Sequence, residues 1–251
     1  MATLDKPEGE QALVIVPTYN ERENIAEVAR RLFDASGDRV DLLVIDDGSP
    51  DGTADLVRDL AEGPHDVHLL ERPGKQGLGT AYVLGFNWAL ERGYSAVVEM
   101  DADLSHDPAD VPRLLDALAD ADLVIGSRYV SGGGVRNWSK FREALSRGGN
   151  FYARAWLGFD VRDATSGFRA YRTEMLRRLD LTEVRSEGYA FQIELTRRIF
   201  RAGGRIAEVP IIFIEREQGE SKMSRRIVIE AVTRVTRWGI ADRFGRRSAS
   251  K

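Results

Sequence analysis

The first half of the chain alternates short apolar runs with amphipathic stretches. Ala12–Val16 is an apolar run stopped by Pro17, the pattern of a parallel strand covered on both faces. Asn20 is placed to cap a helix, with Glu21 and Glu23 in its first turn and Ile25, Val28, Ala29 and Leu32 on one face. The same pair of signals recurs. Leu42–Ile45 is followed by a helix from Thr53, Val67–Leu70 by a helix through about Arg92, and Ala96–Met100 by a helix from Pro108 to Ala119; Leu123–Gly126 is a fifth strand. Such alternation predicts an α/β fold: a Rossmann-like, mostly parallel twisted sheet with helices on both faces. Right-handed crossovers then gather the polar loops at the carboxyl edge of the sheet.

The second half is less regular. Gly132-Gly133-Gly134 predicts a mobile loop. Helices are expected from about Lys140 to Trp156, from Glu187 to Ala202, and from about Arg225 to Arg243, with a strand over Val209–Ile214 and a flexible polar segment from Gly219 to Lys222. The expected organisation is a polar tail over residues 1–11, one domain over 12–220, and a basic amphipathic helix and tail over 221–251.

Charge changes this picture. The net charge is −4, but residues 1–127 hold 10 basic and 26 acidic residues (−16), and residues 128–251 hold 26 basic and 14 acidic (+12). The two halves are built for different partners. The chain has no cysteine and three histidines, which excludes disulfides, thiolate nucleophiles and cysteine zinc sites. No apolar run is long enough to span a bilayer, and the acidic start does not read as a signal peptide.

Three polar groups fall at predicted strand ends. Asp101-Ala102-Asp103 offers two carboxylates that can converge on one Mg²⁺ or Mn²⁺, or that are simply solvated loop acids. Asp46-Asp47-Gly48-Ser49 can accept hydrogen bonds from a base or a ribose, or cap the next helix through Ser49 or Asp51. Arg72-Pro73-Gly74-Lys75-Gln76-Gly77 puts two cations and glycines before a helix start, which suits a phosphate. Neither GxxxxGK[ST] nor a GxGxxG after the first strand is present, which disfavours P-loop and dinucleotide chemistry.

The stretches from Val16 to Glu21, Asp46 to Thr53, Arg72 to Gly79 and Met100 to His106 resemble family 2 glycosyltransferases of the GT-A fold. Gly126-Ser127-Arg128-Tyr129, Asp163-x-Thr165-Ser166-Gly167-Phe168-Arg169, Glu187-Gly188-Tyr189-x-Phe191-Gln192-x-Glu194 and Gly219-x-Ser221-Lys222-Met223 resemble, within that family, the polyprenol-phosphate mannose synthases. The resemblance implies transfer of mannose from GDP-mannose to a polyprenyl monophosphate, with inversion. It implies that Tyr19, Glu21 and Asp46 hold guanosine, that Pro17 lines the base pocket with Asp47 on the same edge, and that Arg72, Lys75 and Gly77 serve the donor phosphates. Asp101 and Asp103 would hold the metal. Arg128 and Lys222, with Arg142 and Arg216, are the candidates for the acceptor phosphate; Asp103, Arg128 and Lys222 carry the catalytic role. The phosphate nucleophile needs no strong base, so Asp163 and Glu194 are expected to support the acceptor loop. Where relatives often carry Gln, this chain has Ser105.

Residues 221–251 carry 9 basic residues against 2 acids. Ile227, Ala231, Val235, Trp238 and Ala241 share one helical face, and the helix around Lys140–Trp156 adds Trp138, Phe141, Phe151, Tyr152 and Trp156 among arginines; these faces either meet an anionic membrane surface, directly or beside a membrane-embedded partner, or pack on the sheet. The location expected is cytoplasmic and peripheral. Nothing matches a nucleic-acid-binding motif. Alternative readings are transfer of another sugar such as glucose from UDP-glucose, a non-catalytic nucleotide-sugar-binding subunit, and a glycoside hydrolase; the last is disfavoured because Asp101 and Asp103 lie too close together to flank a sugar bond.

Overall fold

The computed structural model describes residues 11–215 and 225–248. Strands β1 (Ala12–Thr18), β2 (Val40–Asp46), β3 (Val67–Glu71) and β4 (Ala96–Glu99) alternate with helices α1 (Arg22–Ser36), α2 (Thr53–Ala61) and α3 (Leu78–Glu91). A 3₁₀ turn at Pro108–Asp110 leads into α4 (Val111–Ala117), and β5 (Leu123–Ser127) follows. The strands run as expected because β-branched and leucine residues fill them on both faces. Odd-numbered side chains such as Leu13, Ile15, Leu43 and Val97 join one core; even-numbered Val14, Val16, Leu42 and Val98 join the other. That is the period-two signature of a strand sandwiched between helix layers.

The second half adds β6 (Gly134–Arg136), α5 (Lys140–Leu157), β7 (Arg169–Arg172), α6 (Thr173–Arg177), α7 (Gly188–Arg201), β8 (Ile206–Pro210), β9 (Ile212–Ile214) and α8 (Arg225–Ser248). The main sheet has the order β3-β2-β1-β4-β7-β5-β8. Only β7 is antiparallel, inserted between β4 and β5. This strand was not expected. It brings Arg169 to the carboxyl edge, opposite both Glu99 and Ile125.

Two other expectations change. Val209–Ile214 is not one strand. Pro210 ends β8 against Ser127, and Ile211 crosses over, its N–H donating to Ser127 at 3.0 Å, so that β9 pairs with β6 in a separate small sheet. Proline has no N–H to extend the ladder. The triple glycine is also not a loose loop. Gly134 starts β6, and a Cβ on Gly133 would stand 2.5 Å from the Ser127 carbonyl, so that residue lies flat against the end of β5. Ile214 N–H donates to the Ser105 carbonyl at 3.1 Å, which lays the small sheet over the Asp101–Asp103 loop.

Helix α8 packs on α5 and α7. Val235 is buried, Gly239 meets Trp156, and Arg197 both pairs with Asp242 (2.8 Å) and lies over Trp238. The face expected to meet a membrane is therefore, at Val235 and Trp238, the face that packs inward; the side chain of Ile227 lies outside the described residues.

Candidate active site

The residues expected to hold the donor gather at the ends of β1, β2 and β3. Thr18 and Asp46 are register partners, and Arg72 N–H donates to the Asp46 carbonyl at 2.8 Å. Asp46 is buried and turned into the loop that it shapes. It accepts from Thr18 Oγ1 (2.9 Å), Ser49 N (2.8 Å) and Ser49 Oγ (2.6 Å). Asp51 accepts from the Thr53 and Arg22 N–H groups, but it lies one residue before the cap position of α2, which Gly52 occupies rather than the Ser49 or Asp51 expected. Asn20 makes no side-chain cap. It sits at φ 59°, with its N–H donating to Ser49 Oγ at 2.9 Å, and Glu21 precedes the helix instead. Glu21 is nearly buried and accepts from Asn24 at 2.8 Å. Pro17 lies within β1, and Tyr19 is exposed with the Lys75 ammonium 3.6 Å from its ring centre.

Arg72 is a clamp. Its side chain is buried and donates to Asp47 (2.5 Å), Thr80 Oγ1 (2.7 Å) and the Gly77 carbonyl (3.3 Å). It fixes the loop before α3 and neutralises Asp47 in place. Gly77 stands at φ 95°, a conformation open to glycine, and a Cβ there would meet Glu187 at 3.0 Å.

The carboxylate pair follows β4. Asp101 is partly exposed, Ala102 is buried, and Asp103 Oδ1 accepts from Ser105 N–H at 3.0 Å. Leu104 takes φ 58°, a strained value for leucine that turns the chain sharply between the pair and His106. His106 is buried with Nδ1 3.8 Å from Asp101 Oδ2, stacked on Phe168 at 5.1 Å. Burial pushes its imidazole down to about 4, so it is neutral at pH 7. Among the described residues no group of three or more His, Cys, Asp or Glu converges as a metal cage. Two carboxylates at an open strand end suit a hard cation whose other ligands come from phosphate or water.

The residues expected to meet the acceptor gather around the end of β5. Arg128 is buried and grips Asp163 bidentately, Nε to Oδ2 at 2.7 Å and Nη2 to Oδ1 at 2.6 Å, while its own N–H donates to Oδ2 at 2.9 Å. Burial opposes ionisation of Asp163, but the Arg128 charge and hydrogen bonds outweigh it and hold the carboxyl below its usual range. Glu208 accepts from the N–H groups of Arg162 and Asp163 and fixes that loop. Arg142 pairs with Glu215 and lies over Trp138 at 4.3 Å. Its Nε and the Trp138 Nε1 are buried donors with no hydrogen-bond partner among the described residues. Glu194 accepts from Ser186 and Arg198. Arg216 and Lys222 lie outside the described residues.

Phe213 joins the two sides. Its ring centre is 5.3 Å from that of His106, 5.5 Å from that of Trp138 and 5.6 Å from Arg128 Cζ. One aromatic ring thus separates the carboxylate loop from the buried arginine. No sequence signal singled out Phe213 or Trp138 for this role. Glu99 and Arg169 were also missed, though a charge inside a fully buried strand is itself a signal. Burial pushes Glu99 up to about 7, and Gln192 donates to it at 2.8 Å. Arg169 is fully buried and satisfied by the carbonyls of Ala164, Ser166 and Gln192 and by Thr196 Oγ1.

An acidic pair and arginines anchored by carboxylates thus lie together at the carboxyl edge of a mostly parallel sheet. The chain belongs to glycosyl transferase family 2, whose family model matches residues 13–180. It is 53% identical over 234 residues to the undecaprenyl-phosphate mannosyltransferase of Micrococcus luteus, covering 93% of this chain and 96% of that one. It is 53% identical over 239 residues to the polyprenol monophosphomannose synthase of Mycolicibacterium smegmatis, covering 94% and 90%. Among solved structures it is similar to glucosyl-3-phosphoglycerate synthase from Mycobacterium tuberculosis in complex with Mn²⁺, UDP-glucose and phosphoglyceric acid. The TM-score there is 0.68 at 24% identity, over 90% of this chain and 80% of that one. The fold is the GT-A fold expected from the motifs.

Proposed function

We propose that this chain transfers mannose from GDP-mannose to a polyprenyl monophosphate, giving polyprenyl-phosphate mannose and GDP with inversion at the anomeric carbon. The names of relatives 53% identical over nearly the whole chain support the mannosyl and polyprenyl-phosphate parts of this reading. The observation that carries the mechanism is Arg128, buried and locked by Asp163, one aromatic ring away from the Asp101–Asp103 loop.

Tyr19 and Glu21 flank the guanosine, with Asp46 shaping their loop through Ser49. Asp101 and Asp103 would hold Mg²⁺ or Mn²⁺, which when bound neutralises charge on the departing diphosphate. Ser105 Oγ is buried without a hydrogen-bond partner among the described residues, and as a short hydroxyl it would be a weaker metal ligand than the Gln that relatives often carry there. The nucleophile is an acceptor phosphate oxygen. Its C1–O bond forms as the C1–O bond to GDP breaks. A phosphate monoester loses its second proton near pH ~6, so no base is needed. Asp163 and Glu194 accordingly act as anchors. Arg128 and Arg142 orient the phosphate; Nη1 of Arg128 is not used in the Asp163 clamp, and Arg142 Nε and Trp138 Nε1 are donors in hand. Arg216 and Lys222, which lie outside the described residues, are assigned to the acceptor phosphate from the resemblance alone.

The test is an assay of the purified chain with labelled GDP-mannose, a short-chain polyprenyl phosphate and either Mg²⁺ or Mn²⁺. Lipid-linked mannose that depends on the metal is expected. No product under either metal overturns the reading, and better turnover with UDP-glucose replaces the sugar.

A further inference from the structure

The outward face of α5 is apolar. Phe141 is 78% exposed and Phe151 is 71% exposed, and Ala144, Leu145, Gly148 and Ala155 fall on the same side at helical spacing, all exposed. Two bare phenylalanines on one soluble helix are unusual, since each carries a large apolar area. Helix α8 presents a second such stripe, with Ile229 66%, Val232 45% and Ile240 44% exposed. Tyr152 and Thr236 share a 2.7 Å hydrogen bond across the seam, so the two stripes flank one line. This is not the face of α8 that periodicity picked out.

The rim is basic. Beside Phe151 lies a shallow recess of about 230 Å³ lined by Tyr129, Arg147, Arg154 and Arg162. With Lys140, four cations border the stripe against Glu143 and Asp160. Tyr129 follows Arg128 directly and bonds Ser146 of α5 at 2.7 Å, so the recess adjoins the acceptor arginine.

We propose that the outer faces of α5 and α8 form one docking surface for an anionic lipid bilayer, with the two phenylalanines inserted among acyl chains and the arginine recess holding a lipid phosphate. The choice of bilayer over a protein rests on the basic rim, and on the reading above that the acceptor is itself a lipid phosphate reaching Arg128 from that side.

Flotation of the whole chain with vesicles of equal parts phosphatidylglycerol and phosphatidylcholine tests this. F141S/F151S should lower vesicle binding by about tenfold or more. Transfer to a short-chain, water-soluble polyprenyl phosphate should be unchanged, and so should the thermal midpoint, because both rings are exposed. R147Q/R154Q should abolish the preference for phosphatidylglycerol over phosphatidylcholine alone. A double phenylalanine variant that floats like the wild type overturns the proposal. So does a wild-type chain that ignores these vesicles but binds washed native membranes, which would mean a protein receptor. If docking behaves as stated while no mannosyl lipid forms, the surface stands and the proposed reaction falls.

Discussion

The β1–β3 edge and the β5–β7 edge hold their charges by opposite chemistry. On the first, Asp46 is fixed by hydroxyls and an N–H, and a single buried arginine, Arg72, serves as the tie. On the second, the cations are the groups proposed to meet substrate, and each is tied by a carboxylate: Asp163 under Arg128, Glu215 on Arg142. The opening charges of −16 and +12 thus describe which sign is anchored and which is presented. Each side needs its minority charge, because a buried ion without a partner is far costlier than a solvated one.

The largest expected effect tests the acidic side. Asp103→Ala should lower transfer by about 10³-fold or more, and isothermal titration of Mn²⁺ should lose the metal heat. Retained turnover would remove the carboxylate pair from the mechanism and with it the contrast between the edges. The matching test on the basic side is one of stability. Arg128→Met leaves the buried Asp163 without its counter-ion, keeping only the residue 128 N–H and Thr165 Oγ1 as donors, and should cost about 3–5 kcal/mol at pH 7 by urea unfolding. The pH dependence should reverse sign. In the wild type Asp163 is held below its ordinary value, so its contribution is complete above about pH 4 and is lost as pH falls through the folded value. In the variant burial is no longer offset by the guanidinium and pushes Asp163 up against its remaining hydrogen bonds, so the deficit is largest at neutral pH and shrinks on acidification as the carboxyl takes up a proton. A flat deficit between pH 5 and pH 8 would mean that Arg128 does not serve as the counter-ion.

Phe213 tests whether the edges act as one site. Phe213→Ala removes the ring between His106 and Arg128 and should lower kcat/KM for the acceptor about tenfold to a hundredfold while leaving GDP affinity in binding assays nearly unchanged. An equal loss of GDP affinity would show that the ring props the donor loop instead.

The parallel half of this architecture was legible because each strand is a contiguous apolar run with its own helix, a local pattern. The carboxylate positions were legible for the same reason, as polar groups at the ends of those runs, whereas Arg128 was singled out only by the family resemblance. What escaped was nonlocal. Arg169-Ala170-Tyr171-Arg172 has a charge at both ends and becomes a core strand only because three carbonyls and a threonine from distant segments satisfy Arg169. The switch of sheets at Ile211 depends on what Ser127 offers across the fold. The inward face of α8 was correctly found as apolar and wrongly assigned to a membrane, since amphipathicity does not say what the apolar side meets.

The smallest expected effect lies at the seam of the donor loops, where Lys75 stands over Tyr19 at 3.6 Å. This cation on the acidic edge is placed as those on the basic edge are, against an aromatic ring. An exposed cation–π contact is worth about 0.5–1 kcal/mol. If Lys75 only steadies Tyr19, Lys75→Ala should raise the donor KM about twofold to fivefold and leave the acceptor KM alone. Lys75→Arg, which keeps the charge and the ring contact, should then restore most of the loss. A rise of about a hundredfold that arginine rescues would instead mean a direct phosphate contact, worth more than a surface stack can be. In that case the donor edge too presents a cation to its ligand, and the division of labour between the edges narrows to how each cation is anchored: Arg128 by a buried carboxylate, Lys75 by a ring alone.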